Sequence, residues 1–197
     1  MLRRKINKDD LEKVIQKHLI WLKSNGKLGE KADLSGCDLE RQNLQQVNLE
    51  KANLEGVNLR QANLRTTNFS AANLRTANLE ESNFHWAIVQ GADLKDACLN
   101  GANLHHASFS NSDLSRAQMQ DTFSHYTFFN NTKFESADLQ GASIRFSEMN
   151  FANLHRANLS QSIIAASKMI GVNLSGANLS YSTITMSDFK HAIFLNS

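Results

Sequence analysis

From Ala32 onward the hydrophobic and polar positions of this chain repeat every five residues. The first units read ADLSG, CDLER, QNLQQ, VNLEK, ANLEG, VNLRQ and ANLRT. With Leu34 taken as the first centre, the centres fall on every fifth residue through Phe194. That makes 33 units over residues 32–196 without insertion or deletion. Eighteen centres are Leu, seven Phe, three Met and three Ile, with Val89 and Ser124 making up the set. Only Ser124 is polar, so the repeat is no accident in a chain that is 41% hydrophobic. The residue two before each centre is small, most often Ala, and the residue just before it is Asn or Asp in 20 of the 33 units.

A period of five drifts around a 3.6-residue helical turn and does not match the two-residue alternation of a half-buried strand. It fits a chain that turns a corner every five residues, each flat side pointing one large and one small side chain inward. Asn and Asp tolerate tight turns and bond nearby backbone, which suits them to the corners. Four sides close a square coil of twenty residues, and coils stack at about 4.8 Å. The repeat tract then makes about eight coils, and its small units recur at the period expected of a repeat architecture. The absence of Pro agrees, because Pro would remove an N–H from the bonding between coils.

Tandem A(D/N)LXX units resemble the pentapeptide repeat family over about 165 of the 197 residues. The resemblance implies a right-handed quadrilateral β-helix, an all-β solenoid, and a role in binding or scaffolding rather than catalysis. It also admits proteins that protect DNA gyrase by mimicking DNA.

A solenoid needs its ends covered. Residues 1–31 are read as an N-terminal helical cap and residues 32–197 as the repeat β-helix. Asp9 opens a helical pattern with Glu12 in the capping-box position, followed by Leu11, Val14, Ile15, Leu19 and Leu22, and Asn25-Gly26 closes it. The cap segment holds nine basic and four acidic residues, whereas the repeats hold 12 basic and 15 acidic. The expected helix accounts for the basic segment as a solvated outer face. No helical pattern follows the last repeat. Phe189, Ile193, Phe194 and Leu195 are expected to lie at an open edge and to form an end-to-end dimer interface.

Residues twenty apart share a face, so the sequence can be read in columns. One column runs Arg65, His85, His105, His125, Arg145, and its neighbour runs Thr66, Trp86, His106, Tyr126, Phe146. Four of the seven histidines and one of the two tryptophans fall on this face. With Phe123 added, Arg65, His85, Trp86, His105, His106, Phe123, His125, Tyr126, Arg145 and Phe146 form the candidate partner-binding strip. Arg and large aromatics are the residue types that anchor protein interfaces. Phe128 and Ile163 would enlarge the apolar patch. Stacking between coils accounts for the same rings as ladder stabilisation. The clustered histidines also raise pH-sensitive contact. They lack a carboxylate or thiol beside them to complete a zinc shell, so no metal is expected. Ser124 interrupts the centres, and Phe123 is expected to swing inward and bulge the coil. Cys37 and Cys98 lie about three coils apart, beyond disulfide reach, and are expected to be free thiols.

No phosphate-binding, dinucleotide, zinc-protease or CxxC motif occurs. No cofactor and no catalytic residue is assigned. No apolar run is long enough to span a bilayer, and the charged start is unlike a secretory signal. The expectation is a cytoplasmic bacterial protein that is not an enzyme and contacts neither nucleic acid nor membrane directly. It binds a protein partner of unstated identity. The alternative is a DNA mimic that binds a type II topoisomerase. It is weakened by a repeat tract whose 15 acids are scattered among 12 bases.

Overall fold

In the computed structural model, which describes residues 4–197, the repeat tract is a β-helix with twenty residues to the turn. Residues 1–3, part of the expected cap, lie outside the described residues. Parallel bridges join each coil to the next in a constant register: Asp33 to Asn53, Asn53 to Asn73, Asn73 to Asp93, Asp93 to Asp113 and onward. The backbone takes a positive φ at the second residue after each centre, as at Arg41, Gln46, Lys51 and Gly56. Four such corners per twenty residues give each coil four sides.

The repeat unit 62–66 shows why five residues suffice. Ala62 N–H donates to the Leu59 carbonyl, closing the corner, and Asn63 N–H donates to Gln42 in the coil before. Leu64 and Thr66 donate to Asn83 and His85 in the coil after. Arg65 N–H donates to the Asn63 side-chain oxygen at 3.3 Å. All five amides are committed, so Pro has no free place in the unit. The Asn and Asp residues that precede the centres therefore lie outside the left-handed corner, where their turn propensity had placed them. They sit before the centre, accept an amide two residues on, and bond up and down the stack: Asn63 Nδ2 donates to Asn43 Oδ1 at 2.9 Å.

The centres from Leu34 to Leu174 are buried along one continuous core with the small residues two before them. Each buried Leu or Phe contributes about 1.5–3 kcal/mol through removal from water. Ser124 is also buried, but Phe123 does not turn inward: it remains 49% exposed. Phe123, Ser124 and His125 pair in register with Ser143, Ile144 and Arg145, so there is no bulge. The next two centres, Phe129 and Phe134, pack edge-on against each other at 5.2 Å.

Strand β1 (Arg4–Lys5) pairs with β2 (Cys37–Asp38) in the first coil. Helix α1 (Lys8–Lys23) follows β1. Its N-cap is Asn7, not Asp9: the Asn7 side chain accepts Asp10 N–H at 2.8 Å and donates back to the Asp10 carboxylate. Leu11, Val14 and Ile15 pack on the core. His18 is fully buried, its Nδ1 accepting Ala32 N–H at 3.1 Å. Cys37 and Cys98 are free thiols.

At the far end, three-residue strands β3 (Phe123–His125), β4 (Ser143–Arg145), β5 (Ile163–Ala165) and β6 (Thr183–Thr185) form a parallel sheet with β6 at its edge. The core opens there: Ile184, Ile193, Phe194 and Leu195 are exposed and Phe189 is partly buried. No described helix is long and apolar enough to cross a membrane.

Candidate protein-interaction strip

The corner geometry aims the candidate side chains. Trp86, His106, Tyr126 and Phe146 all occupy the left-handed corner, with φ between 52° and 60°. Because corners repeat in register, the four rings lie one above another. Trp86 and His106 stack at 4.3 Å and 7°, His106 and Tyr126 at 5.1 Å and 3°, Tyr126 and Phe146 at 5.1 Å and 11°. These separations match the coil spacing of about 4.8 Å, so the ring planes lie across the solenoid axis and their edges face solvent. Trp86, Tyr126 and Phe146 are each about half exposed.

The adjoining column is built differently. Asn83 and Asn103 accept the amides of His85 and His105 and hold those residues at the start of the turn. The same position then changes to Phe123 and Ser143, and the segments straighten into β3 and β4. His105 meets His125 edge to face at 4.5 Å. His125 Nε2 lies 3.0 Å from Ser143 Oγ, to which Arg145 Nε also donates at 3.2 Å. His85 bridges the columns, 5.9 Å from Trp86 and 5.5 Å from His106.

Burial and nearby positive charge disfavour the charged form of two of these imidazoles. Desolvation, then Arg65, His106 and His105, hold the pKa of His85 below its ordinary value. Desolvation, then His105 and Arg145, do the same for His125. Among the described residues, no group of three or more His, Cys, Asp and Glu is arranged to hold a metal ion.

The structure thus brings together nine of the ten strip residues. Phe123 lies beside them, exposed, and makes no ring–ring pair among the described residues. Ser143, which ties His125 to Arg145, was missed. Reading the column one place before the centre would have found it. On the neighbouring side Ile88 is exposed one place before its centre, and Phe128, in the same column, is exposed too.

A family model described as pentapeptide repeats matches in eight copies, over residues 32–70, 59–96, 90–123, 128–163 and 165–194. The chain belongs to the pentapeptide repeat family. Membership implies a right-handed quadrilateral β-helix, with which the four-sided coils agree, and such proteins are generally structural or interaction proteins rather than enzymes. HetL, a pentapeptide repeat protein involved in heterocyst differentiation regulation from the cyanobacterium Nostoc sp. strain PCC 7120, is 26% identical. The match covers 84% of this chain and 80% of HetL, with a TM-score of 0.50. A pentapeptide repeat protein from the Arabidopsis thaliana thylakoid lumen is 32% identical over 46% of this chain and 63% of its own, with a TM-score of 0.45. QnrB1, a plasmid-mediated fluoroquinolone resistance protein, is 16% identical over 72% of this chain and 83% of its own, with a TM-score of 0.37. No curated protein matches the chain significantly.

Proposed function

We propose that this pentapeptide repeat protein is a non-enzymatic cytoplasmic scaffold or regulator in a bacterium. It binds a protein partner through the strip formed by Arg65, His85, Trp86, His105, His106, Phe123, His125, Tyr126, Arg145 and Phe146. The observation that carries the reading is the unbroken stack of Trp86, His106, Tyr126 and Phe146 along one face, in which Trp86, Tyr126 and Phe146 are about half exposed. Exposed apolar surface of this size, rimmed by Arg, is typical of interaction sites. The likeness to HetL, a protein involved in regulation, supports the regulatory part of the reading. In pull-down, the Trp86→Ala/Tyr126→Ala protein is expected to lose the partner that the wild type retains.

In this reading residues 1–31 cap the first coil, and residues 32–197 form the right-handed β-helix of about eight coils. The exposed last coil, with Phe189, Ile193, Phe194 and Leu195, meets a second copy end to end. Mimicry of DNA toward a type II topoisomerase is disfavoured because many of the surface acids are paired with cations in place. Arg60 bridges Glu40 and Glu80, Lys95 pairs with Asp113, and Arg116 pairs with Asp96.

A further inference from the structure

The strip differs from every other face of the solenoid in its charge pairing. Elsewhere most cations of the coils find carboxylates, as in the Arg60, Lys95 and Arg116 pairs and in Lys168 with Glu148 at 2.9 Å, with Arg156 and Lys190 the exceptions among the described residues. Arg65 and Arg145 enter no ion pair among the described residues, although each lies on a face crossed by four histidines. Between them the outward positions of that face hold no Asp or Glu. The carboxylates nearest in sequence sit at adjoining corners. Glu148 is paired with Lys168, Glu81 lies within 3.7 Å of Arg60, and Asp121 precedes Phe123 by two residues. The column Arg65, His85, His105, His125, Arg145 is therefore a line of potential positive charge with no internal counter-charge.

The aromatic column adds to this. Its rings present edges, and an aromatic edge carries the positive part of the quadrupole. The ring faces are closed against one another at 4.3–5.1 Å. Single-stranded nucleic acid binds by stacking bases on open ring faces, and along this stack those faces are occupied. A carboxylate, by contrast, is complementary to ring edges, imidazolium and guanidinium alike.

We propose that the strip receives an acidic, extended peptide segment of the partner, lying along the solenoid axis from Arg65 to Arg145. The inference rests on the strip being the partner-binding surface and names the chemistry of what it binds. Four coil steps span about 19 Å, the length of about six residues of extended chain. Arg65 and Arg145 anchor the two ends as fixed charges, and His85 and His125 between them supply charge that depends on pH. His85 faces Arg65, His105, His106 and Trp86, and His125 faces His105, Arg145 and Ser143. These neighbours are cationic or neutral and disfavour protonation in the free protein. A bound carboxylate reverses that preference, so binding takes up protons and the affinity rises as the pH falls.

The test uses a fluorescein-labelled peptide of alternating Glu and Val, about six to ten residues long. Its fluorescence anisotropy is titrated with the full chain. A Lys-Val peptide and an oligothymidylate of equal charge serve as comparisons. The Glu peptide is expected to bind about tenfold or more tightly at about pH 5.5 than at about pH 8. Arg65→Gln/Arg145→Gln, with unchanged circular dichroism, is expected to weaken binding about tenfold. His85→Gln/His125→Gln is expected to flatten the pH dependence and provides a second route if the Arg variant misfolds. Absence of Glu-peptide binding at low pH overturns the inference, as does equal binding of the Lys peptide. Tighter binding of the oligothymidylate overturns it in favour of nucleic acid. If the Glu peptide fails while Trp86→Ala/Tyr126→Ala still abolishes partner capture, the strip stands as the binding surface and only the acidic chemistry falls.

Discussion

His18 is a buried titratable residue outside the strip, and its environment makes stability depend on pH. Desolvation, opposed by the Glu50 main chain and reinforced by Lys31, lowers its pKa from the ordinary 6.5. Nδ1 accepts the Ala32 amide, and Nε2 has no well-formed partner. The folded state therefore prefers neutral imidazole. The stability it contributes is present above pH 6.5 and is lost as the pH falls below that value toward the lower folded pKa. Carboxylates held below their ordinary range, such as Asp96 and Asp113, lose their contribution only in more acidic solution. The wild type is thus expected to lose stability just below pH 6.5, measured as the urea midpoint against pH, and His18→Gln is expected to reduce that loss, with His85 and His125 supplying the remainder. Parallel curves for the two proteins would contradict this role. At the same scale, the sequence marked Ser124 as an anomaly but misjudged its remedy. The in-register pairing of Phe123–His125 with Ser143–Arg145 keeps Phe123 outward, a constraint set by the next coil and not by the residues beside it in the chain.

At the scale of the element, the five-residue period made the repeating unit legible because each of its positions has a distinct backbone task. The large centre fills the core and the small residue clears the corner. The Asn or Asp accepts an amide and links coils, and the second residue after the centre bends left-handed. The last task was not legible, because that position holds residues as different as Arg41, Thr66 and Trp86. Composition there follows the surface and not the backbone. Helix α1 was legible from its apolar spacing, but its start was not. A capping box and an Asn cap look alike when Asn7, Asp9, Asp10 and Glu12 stand together, and the hydrogen bonds of Asn7 decide between them. Asn7→Ala is expected to cost about 1 kcal/mol in thermal unfolding, and Asp9→Ala only a few tenths. The reverse order would restore Asp9 as the cap.

At the scale of the whole molecule, the uniform twenty-residue register converts sequence into surface, so the strip is legible in the spacing of its residues. What the columns did not contain was orientation. The parallel stacking of the rings is seen only in the folded coils, and the lowered pKa of His85 and His125 follows first from their burial there. The two ends of the core also differ. One meets Leu11, Val14 and Ile15 of α1, whereas at the other Phe194 and Leu195 remain exposed. Light scattering is expected to give a dimer mass for the full chain and a monomer mass for Phe194→Asp. A monomeric wild type would refute the end-to-end contact. The central claim is that recognition resides on the His-aromatic face, and quantitative pull-down tests it most directly. Three baits are compared: wild type, Trp86→Ala/Tyr126→Ala, and Arg60→Ala/Arg116→Ala with its changes on the other faces. The account predicts one protein retained by the first and third baits and lost by the second. Equal recovery by all three would contradict it.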